Sequence, residues 1–353
     1  MQAIELTSFL LKGINGGKKK MMNYELFKEV VMEKFMDYMS DEFKDCKLNI
    51  TQVEKVNHVK DGINLVSTDK DKKLGVVPTM YLNDMYEHYK ETEDLNGTIA
   101  KAAEDMERVI KENPFKKEPL DFDSARENIV FQLINTEQNK ELLKNVPNRQ
   151  FQDLSIIYRW VVNVDEAGIA SSVIRDNLAE HLGLSEEELF KLAVENTRRL
   201  FPPTVKSMND VIAEMFVKDG MPAEIAEMMI NEMPKEQMLW VISNDRQLNG
   251  AISMLYEDKL QELAQELDAD LYIMPSSIHE TIAVSAEFGD PYQLAEMVTE
   301  INMDQVSLDE RLSNQVYHYD KDLRKLTLAT DTPNKRLDGA VAEPEMVYSE
   351  KSR

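Results

Sequence analysis

The chain has 353 residues and a formal net charge of −24, with 42% apolar and 30% charged side chains. That is length for about two domains with a real core and a well-solvated surface. The acidity argues against nucleic acid, which is held by clustered Lys and Arg, and the one basic run is Lys18-Lys19-Lys20. No apolar stretch approaches the roughly 20 residues of a spanning helix, so no membrane partner is expected.

The opening "MQAIELTSFLLKGINGGKKKMM" carries its apolar patch before its lysines, the reverse of a secretory signal. Residues 1–21 read as a flexible extension, and a reducing cytoplasm is the expected compartment. In "NYELFKEVVMEKFMDYM", apolar residues recur every three and four positions, which predicts an amphipathic helix. "CKLNITQVEKVNHVKDGINLVST" alternates like a strand pair, with a hairpin turn expected at Lys60-Asp61-Gly62. The single cysteine, Cys46, excludes an internal disulfide and a thiolate cluster, and reads as a half-buried strand residue. "LGVVPTMYL" suggests an edge strand because Pro78 cannot donate to a ladder, and "IAKAAEDMERVIKE" a closing helix. Residues 22–113 thus form a helix-sheet-helix module, and the proline-bearing stretch 114–123 a linker.

From 124 to 330 a larger α+β domain is expected. Strands are read near Ile129–Ile134 and at "LSIIYRWVV", the latter too apolar on both faces for an edge. Ser185 and Glu188 make a capping box ahead of "EELFKLAVENTRRLF", which Pro202-Pro203 ends. "MPAEIAEMMINEMPKEQM" is helical and rich in methionine, a side chain that fills cores and also lines adaptable binding grooves. Its Met228, Met229 and Met233 are the candidate contacts to a protein partner. "MLWVIS", "GAISMLY", "DLYIMPS" and "TIAVSAE" read as four strands, with "EDKLQELAQEL" a helix between the second and third. Asp290-Pro291 opens another helix as N-cap and first-turn proline. "QVYHYDKDLRKLTLA" is a hairpin, and 331–353 a polar tail expected to be disordered.

Two stretches echo each other, 160–182 and 240–263. Trp160 and Trp240, like Asp165 and Asp245, lie 80 apart; Gly168 and Gly250, and Leu178 and Leu260, lie 82 apart. Each reads as strand, turn, strand, helix, so the domain is expected to hold two ββα-like units with mostly antiparallel sheet and both tryptophans in the core.

Phosphate-binding, nucleophile-elbow and zinc-protease motifs are absent, and "STDKDKK" lacks the central Gly and distal Glu of a calcium loop. The five histidines are scattered, without helical ligand spacing, so neither metal nor cofactor is expected. Chemistry concentrates in "PSSIHE". There Ser277, His279 and Glu280 offer a hydroxyl, a base and a carboxylate, with Asn196 or Asp245 as possible neighbours. The competing reading is a turn whose serine hydroxyls bond nearby backbone.

"FQLINTEQNKELLKNVPNRQFQDLSIIYRWVV", "GLSEEELFKLAVENT", "LWVISNDRQLNGAISMLY" and "LYIMPSSIHETIAV" together resemble an uncharacterised family of bacterial proteins from gut Gram-positive anaerobes, over about residues 24–330. A fainter similarity links the chain to another uncharacterised cytosolic family of spore formers. The resemblance implies a soluble cytosolic bacterial protein and carries no activity, cofactor or catalytic residue. Two functions therefore remain: a non-enzymatic interaction or regulatory protein, or a metal-independent hydrolase or transferase centred on the 275–280 turn.

Overall fold

The computed structural model describes residues 21–68, 77–112, 125–165, 168–229, 238–331 and 337. These fall into two compact bodies, one from residues up to 54 and 59–112, the other from 55–58 and the chain beyond 125. The expected linker at 114–123, most of the N-terminal extension and all of the tail except Asp331 and Leu337 lie outside the described residues.

In the first body, α1 (Tyr24–Lys34) starts on the Asn23 side chain, which accepts from the Leu26 N–H. It buries Phe27, Val30 and Val31. The antiparallel strands β1 (Cys46–Lys55), β2 (His58–Ser67) and β3 (Met80–Tyr81) follow, then α2 (Leu82–Thr92) and α3 (Leu95–Glu112). One core of Phe27, Val31, Ile63, Leu65, Leu82, Ile99 and Met106 unites them. The hairpin turns at Asn57, in the left-handed region at φ 65°, and not at Gly62. Asparagine tolerates that conformation. Gly62 instead lies within β2 opposite Tyr81, where a Cβ would sit 2.6 Å from Thr79 Cγ2. Residues 74–76 of the expected edge strand lie outside the described residues; among the rest only Met80–Tyr81 is strand, because Leu82, Met85 and Tyr89 bury one helical face.

The second body holds two antiparallel sheets. In the four-stranded one, β6 (Leu154–Asp165) is central: β4 (Ile129–Asn135) pairs along one edge, β5 (Asn148–Phe151) and β7 (Gly168–Val173) share the other. The six-stranded sheet runs β13-β12-β10-β11-β9-β8. Its strands are β8 (Pro203–Ser207), β9 (Trp240–Asn244), β10 (Leu271–Met274), β11 (Thr281–Ser285), β12 (Tyr317–Asp320) and β13 (Lys325–Leu328). Pro203 is tolerated because it opens an edge strand. The inner faces meet in one core that takes Phe131, Leu133, Ile156 and Trp160 from the first sheet and Trp240, Ile242, Ile273 and Tyr317 from the second. This is the α+β, mostly antiparallel class, with both tryptophans buried.

Helices close the open faces. α4 (Lys140–Leu143) and α5 (Asp176–Leu182) are short, and α6 (Glu186–Leu200) starts on the Ser185/Glu188 capping box and buries Leu189 and Ala193. Arg149 of β5 binds Glu186 through Nε and Nη2 at 3.1 and 2.8 Å, tying α6 to the sheet. α7 (Met208–Lys218) and α8 (Ala223–Met229) follow β8, then α9 (Glu257–Leu267) and α10 (Pro291–Asp304), the last N-capped by Asp290.

The echo departs from two ββα-like units in its second copy. Residues 168–173 form a strand, whereas Gly250–Leu255 is a 3-10 helix. Gly250 through Met254 are all buried, so the run has no outward face and no alternation. At Gly250 a Cβ would lie 2.2 Å from Ser243 Oγ and 2.6 Å from the His279 carbonyl. The chain passes too close to β9 to run as a paired strand beside it.

Candidate functional site

β10 ends at Met274, and Pro275–Ile278 zips onto a neighbouring segment. Leu312 N–H donates to the Ser276 carbonyl at 2.9 Å, Ser313 N–H to Pro275 at 2.9 Å, and Ile278 N–H to Glu310 at 2.8 Å. Ser277, buried, pairs with Arg311 in an isolated bridge. Its Oγ accepts from the His279 backbone N–H at 3.0 Å, a local serine turn.

His279 is held from both sides. Its Nδ1 accepts from the Asn249 N–H at 3.2 Å, and Nε2 lies 3.3 Å from Glu310 Oε1. A backbone amide can only donate, so the neutral ring must carry its proton on Nε2, facing the Glu310 carboxylate. The Ser277 hydroxyl bonds backbone, and no bond joins it to the ring. The structure thus places Ser277, His279 and Glu280 side by side without the nucleophile–base hydrogen bond that covalent catalysis requires. Asn196 is elsewhere: its amide donates to the Arg126 and Ile129 carbonyls and fixes α6 to the start of β4.

The ring also ends a polar chain that crosses to the other sheet. Asn249 Oδ1 accepts from Gln132 Nε2 at 3.1 Å, and Gln132 Oε1 accepts from Arg159 Nη1 at 3.2 Å. Arg159 then donates through Nε to Ser171 Oγ at 3.0 Å. Asn249 is left-handed at φ 52°, which aims its amide at the ring. Sequence reasoning missed Gln132, Arg159, Asn249 and Glu310, since they come from four separate segments. The only local signal was the Asn-Gly pair preceding the supposed strand.

Glu280 takes a different path. Strand alternation puts Ala283 in the main core and Ile282 on the opposite face, directly across from Val241 of β9. Glu280 has the parity of Ile282. On that face, α10 packs Leu294, Ala295 and Val298 over Met274 and Val284, while α7 lies against β8 and β9. A cleft of about 430 Å³ is left, lined by Met208, Val211, Val241, Leu248, Ile282, Gln247, His279 and Glu280. Its volume lies within the usual range of ligand pockets. Burial pushes the Glu280 carboxyl up; His279 opposes the shift and Glu310 adds to it. Among the described residues no hydrogen bond or ion pair reaches this carboxylate.

Met228 is 85% exposed on α8. Met229 is the last residue of that helix, and Met233 lies outside the described residues. The apolar surface extends to residues the sequence reading passed over: Ile212, Met215 and Val217 of α7 and Ile225 of α8 are all exposed. Among the described residues no group of three or more His, Cys, Asp or Glu could hold a metal ion, and no helix is long and apolar enough to cross a membrane.

Fold and site together define an α+β protein whose polar turn is clamped by backbone, beside an open apolar-walled cleft that contains, among the described residues, the Glu280 carboxylate. The chain belongs to a family of unknown function, DUF5688, whose pattern covers residues 24–321. No curated protein and no solved structure matches it.

Proposed function

We propose that the protein is a non-enzymatic binding module of the cytoplasm, and that α7 and α8 receive a basic amphipathic helix of a protein partner. One observation carries this reading. α7 has Met208, Val211, Ile212 and Met215 at helical spacing, yet none of its residues is buried. An amphipathic helix ordinarily hides its apolar stripe against a core. Here the stripe runs from the cleft wall to solvent and continues onto α8 through Ile225 and Met228. Flexible methionines suit a surface that must repack around its partner.

Charge selects the partner. Asp210, Glu214, Asp219 and Glu224 are exposed around the stripe, against Lys218 and a Lys206 already bound to Glu214 at 2.6 Å. With a net charge of −24 behind them, they attract Lys-bearing segments and repel nucleic acid and anionic lipid. A hydrolase at the 275–280 turn would need a free ring nitrogen facing Ser277 Oγ, and both nitrogens of His279 are engaged elsewhere.

The test is fluorescence anisotropy with a helical peptide of about 18 residues built of Leu and Lys to present one apolar face. The expected result is saturable binding, weakened at least ~10-fold by Met215→Glu with Met228→Glu, and lost when the peptide's lysines become glutamates. Equal binding of both peptides, or an unaffected double variant, overturns the proposal.

A further inference from the structure

We infer that the cleft beneath α7 is an anchor site for a lysine side chain of the partner segment, whose ammonium meets the Glu280 carboxylate. The inference rests on the partner chemistry proposed above and adds where that partner is gripped. The cleft is continuous with the exposed stripe, since Met208 and Val211 of α7 form one of its walls. Its other apolar walls, Val241, Leu248 and Ile282, are aliphatic. They suit a four-carbon stem that lies along apolar surface while its charged head reaches a partner. Among the described residues the walls hold no aromatic side chain other than the His279 ring, which Asn249 and Glu310 fix in place. Guanidinium groups favour stacked, bidentate sites, whereas a compact ammonium needs one carboxylate.

The electrostatics agree. The titratable groups facing Glu280 are His279 and Glu310. Glu310 adds negative potential at the cleft while its Oε1 engages His279 Nε2 at 3.3 Å, and among the described residues no ion pair reaches Glu280. Burial disfavours the lone carboxylate, and an arriving ammonium removes that penalty. Uptake of the cation therefore expels a proton from the fraction of Glu280 that is protonated, and affinity rises with pH through the Glu280 titration.

The test is an NMR titration of the full chain with n-butylammonium chloride, using n-butanol and sodium butyrate as neutral and anionic counterparts of the same stem. Butylammonium is expected to shift Val211, Val241, Leu248 and Ile282 resonances, with the two counterparts at least ~10-fold weaker. Glu280→Gln keeps the shape of the side chain and should lower butylammonium affinity at least ~10-fold; Val211→Trp should block the cleft with Glu280 intact. The amphipathic peptide should lose a similar factor in Glu280→Gln. Met228→Glu should weaken the peptide while leaving butylammonium unchanged, which separates failure of the anchor from failure of the helical surface. Equal binding of butylammonium and butanol, or indifference to Glu280→Gln, overturns the site. Butylammonium binding with no effect of Glu280→Gln on the peptide overturns its assignment to a partner lysine.

Discussion

Glu280 and Gly250 show how much of this body rests on single positions around one loop. The Glu280 carboxyl is held up by burial, so its folded value exceeds its unfolded one. A group of that sign contributes stability that is present below the unfolded carboxylate range and lost as pH rises through the folded value. Thermal melts of wild type and Glu280→Gln should therefore converge at acid pH and diverge toward neutrality, with the variant the more stable. Carboxylates of the opposite sign, such as Asp258 lowered by Arg198 and Glu257 lowered by Arg324, remain in both proteins and cancel in the difference. Parallel melts at all pH values would contradict the burial of this carboxylate. Gly250 is constrained by space, since its Cβ would press on Ser243 Oγ and on the backbone of His279 and Asn244. Two of those contacts are main-chain atoms that cannot swing aside. Gly250→Ala should cost about 1–3 kcal/mol in urea unfolding and disturb the His279 ring resonances. A silent substitution would mean the loop has room that the geometry denies.

At the scale of elements, α6 and α7 carry the same N-terminal device on unequal foundations. Ser207 Oγ accepts from the Asp210 N–H at 3.0 Å and donates to its carboxylate at 2.7 Å, a capping box like that of Ser185 and Glu188. α6 is further held by Leu189 and Ala193 in the core, whereas no residue of α7 is fully buried. Losing a serine cap costs about 0.5–2 kcal/mol. In α7 that loss should appear locally, as amide exchange over residues 208–212 faster by about 2–30-fold in Ser207→Ala. Ser185→Ala should lower the global stability by a similar amount without a separate opening of α6. Indistinguishable exchange patterns would show that α7 is better anchored than its exposure implies. The same pair shows what the sequence disclosed. The Ser185 box was legible because a hydroxyl, a glutamate and an apolar period coincide within a few residues, and α10 was legible from a different local signal, an Asp290 cap followed by Pro291 in the first turn. α7 was missed although Val211, Ile212 and Met215 carry helical spacing, because its cap carries Asp210 where glutamate is the familiar partner. Gly62 misled in the opposite way, since a Lys-Asp-Gly triplet signals a turn locally while β3 demanded a residue without a side chain. At the candidate site, Ser277, His279 and Glu280 stood out as neighbours in the chain. What sets their roles is Asn249 on one side and Glu310 on the other, and contacts of that separation leave no trace in a single sequence.

Across the whole molecule, one quantity, the net charge of −24, should pull two measurements in opposite directions as salt is added. Sixty-five acidic side chains face forty-one basic ones, so self-repulsion opposes the compact state at neutral pH. Many ion pairs join residues only three or four apart in the chain, such as Lys140 with Glu137 and Lys144 with Glu141, and such exposed pairs add little. Screening therefore removes more repulsion than attraction, because the Debye length falls from tens of ångströms in dilute salt to about 3 Å at 1 M. Sodium chloride should raise the melting temperature at pH 7, and raise it less at acid pH, where the carboxylates are neutralised. The basic amphipathic peptide should behave inversely, with an association rate that falls steeply with ionic strength while the dissociation rate, set by apolar contacts on α7 and α8, changes little. Stopped-flow measurements over the same salt series separate the two rates. If added salt slowed dissociation and left association untouched, the acidic surface would have no part in drawing the partner in, and the apolar stripe alone would have to account for selectivity.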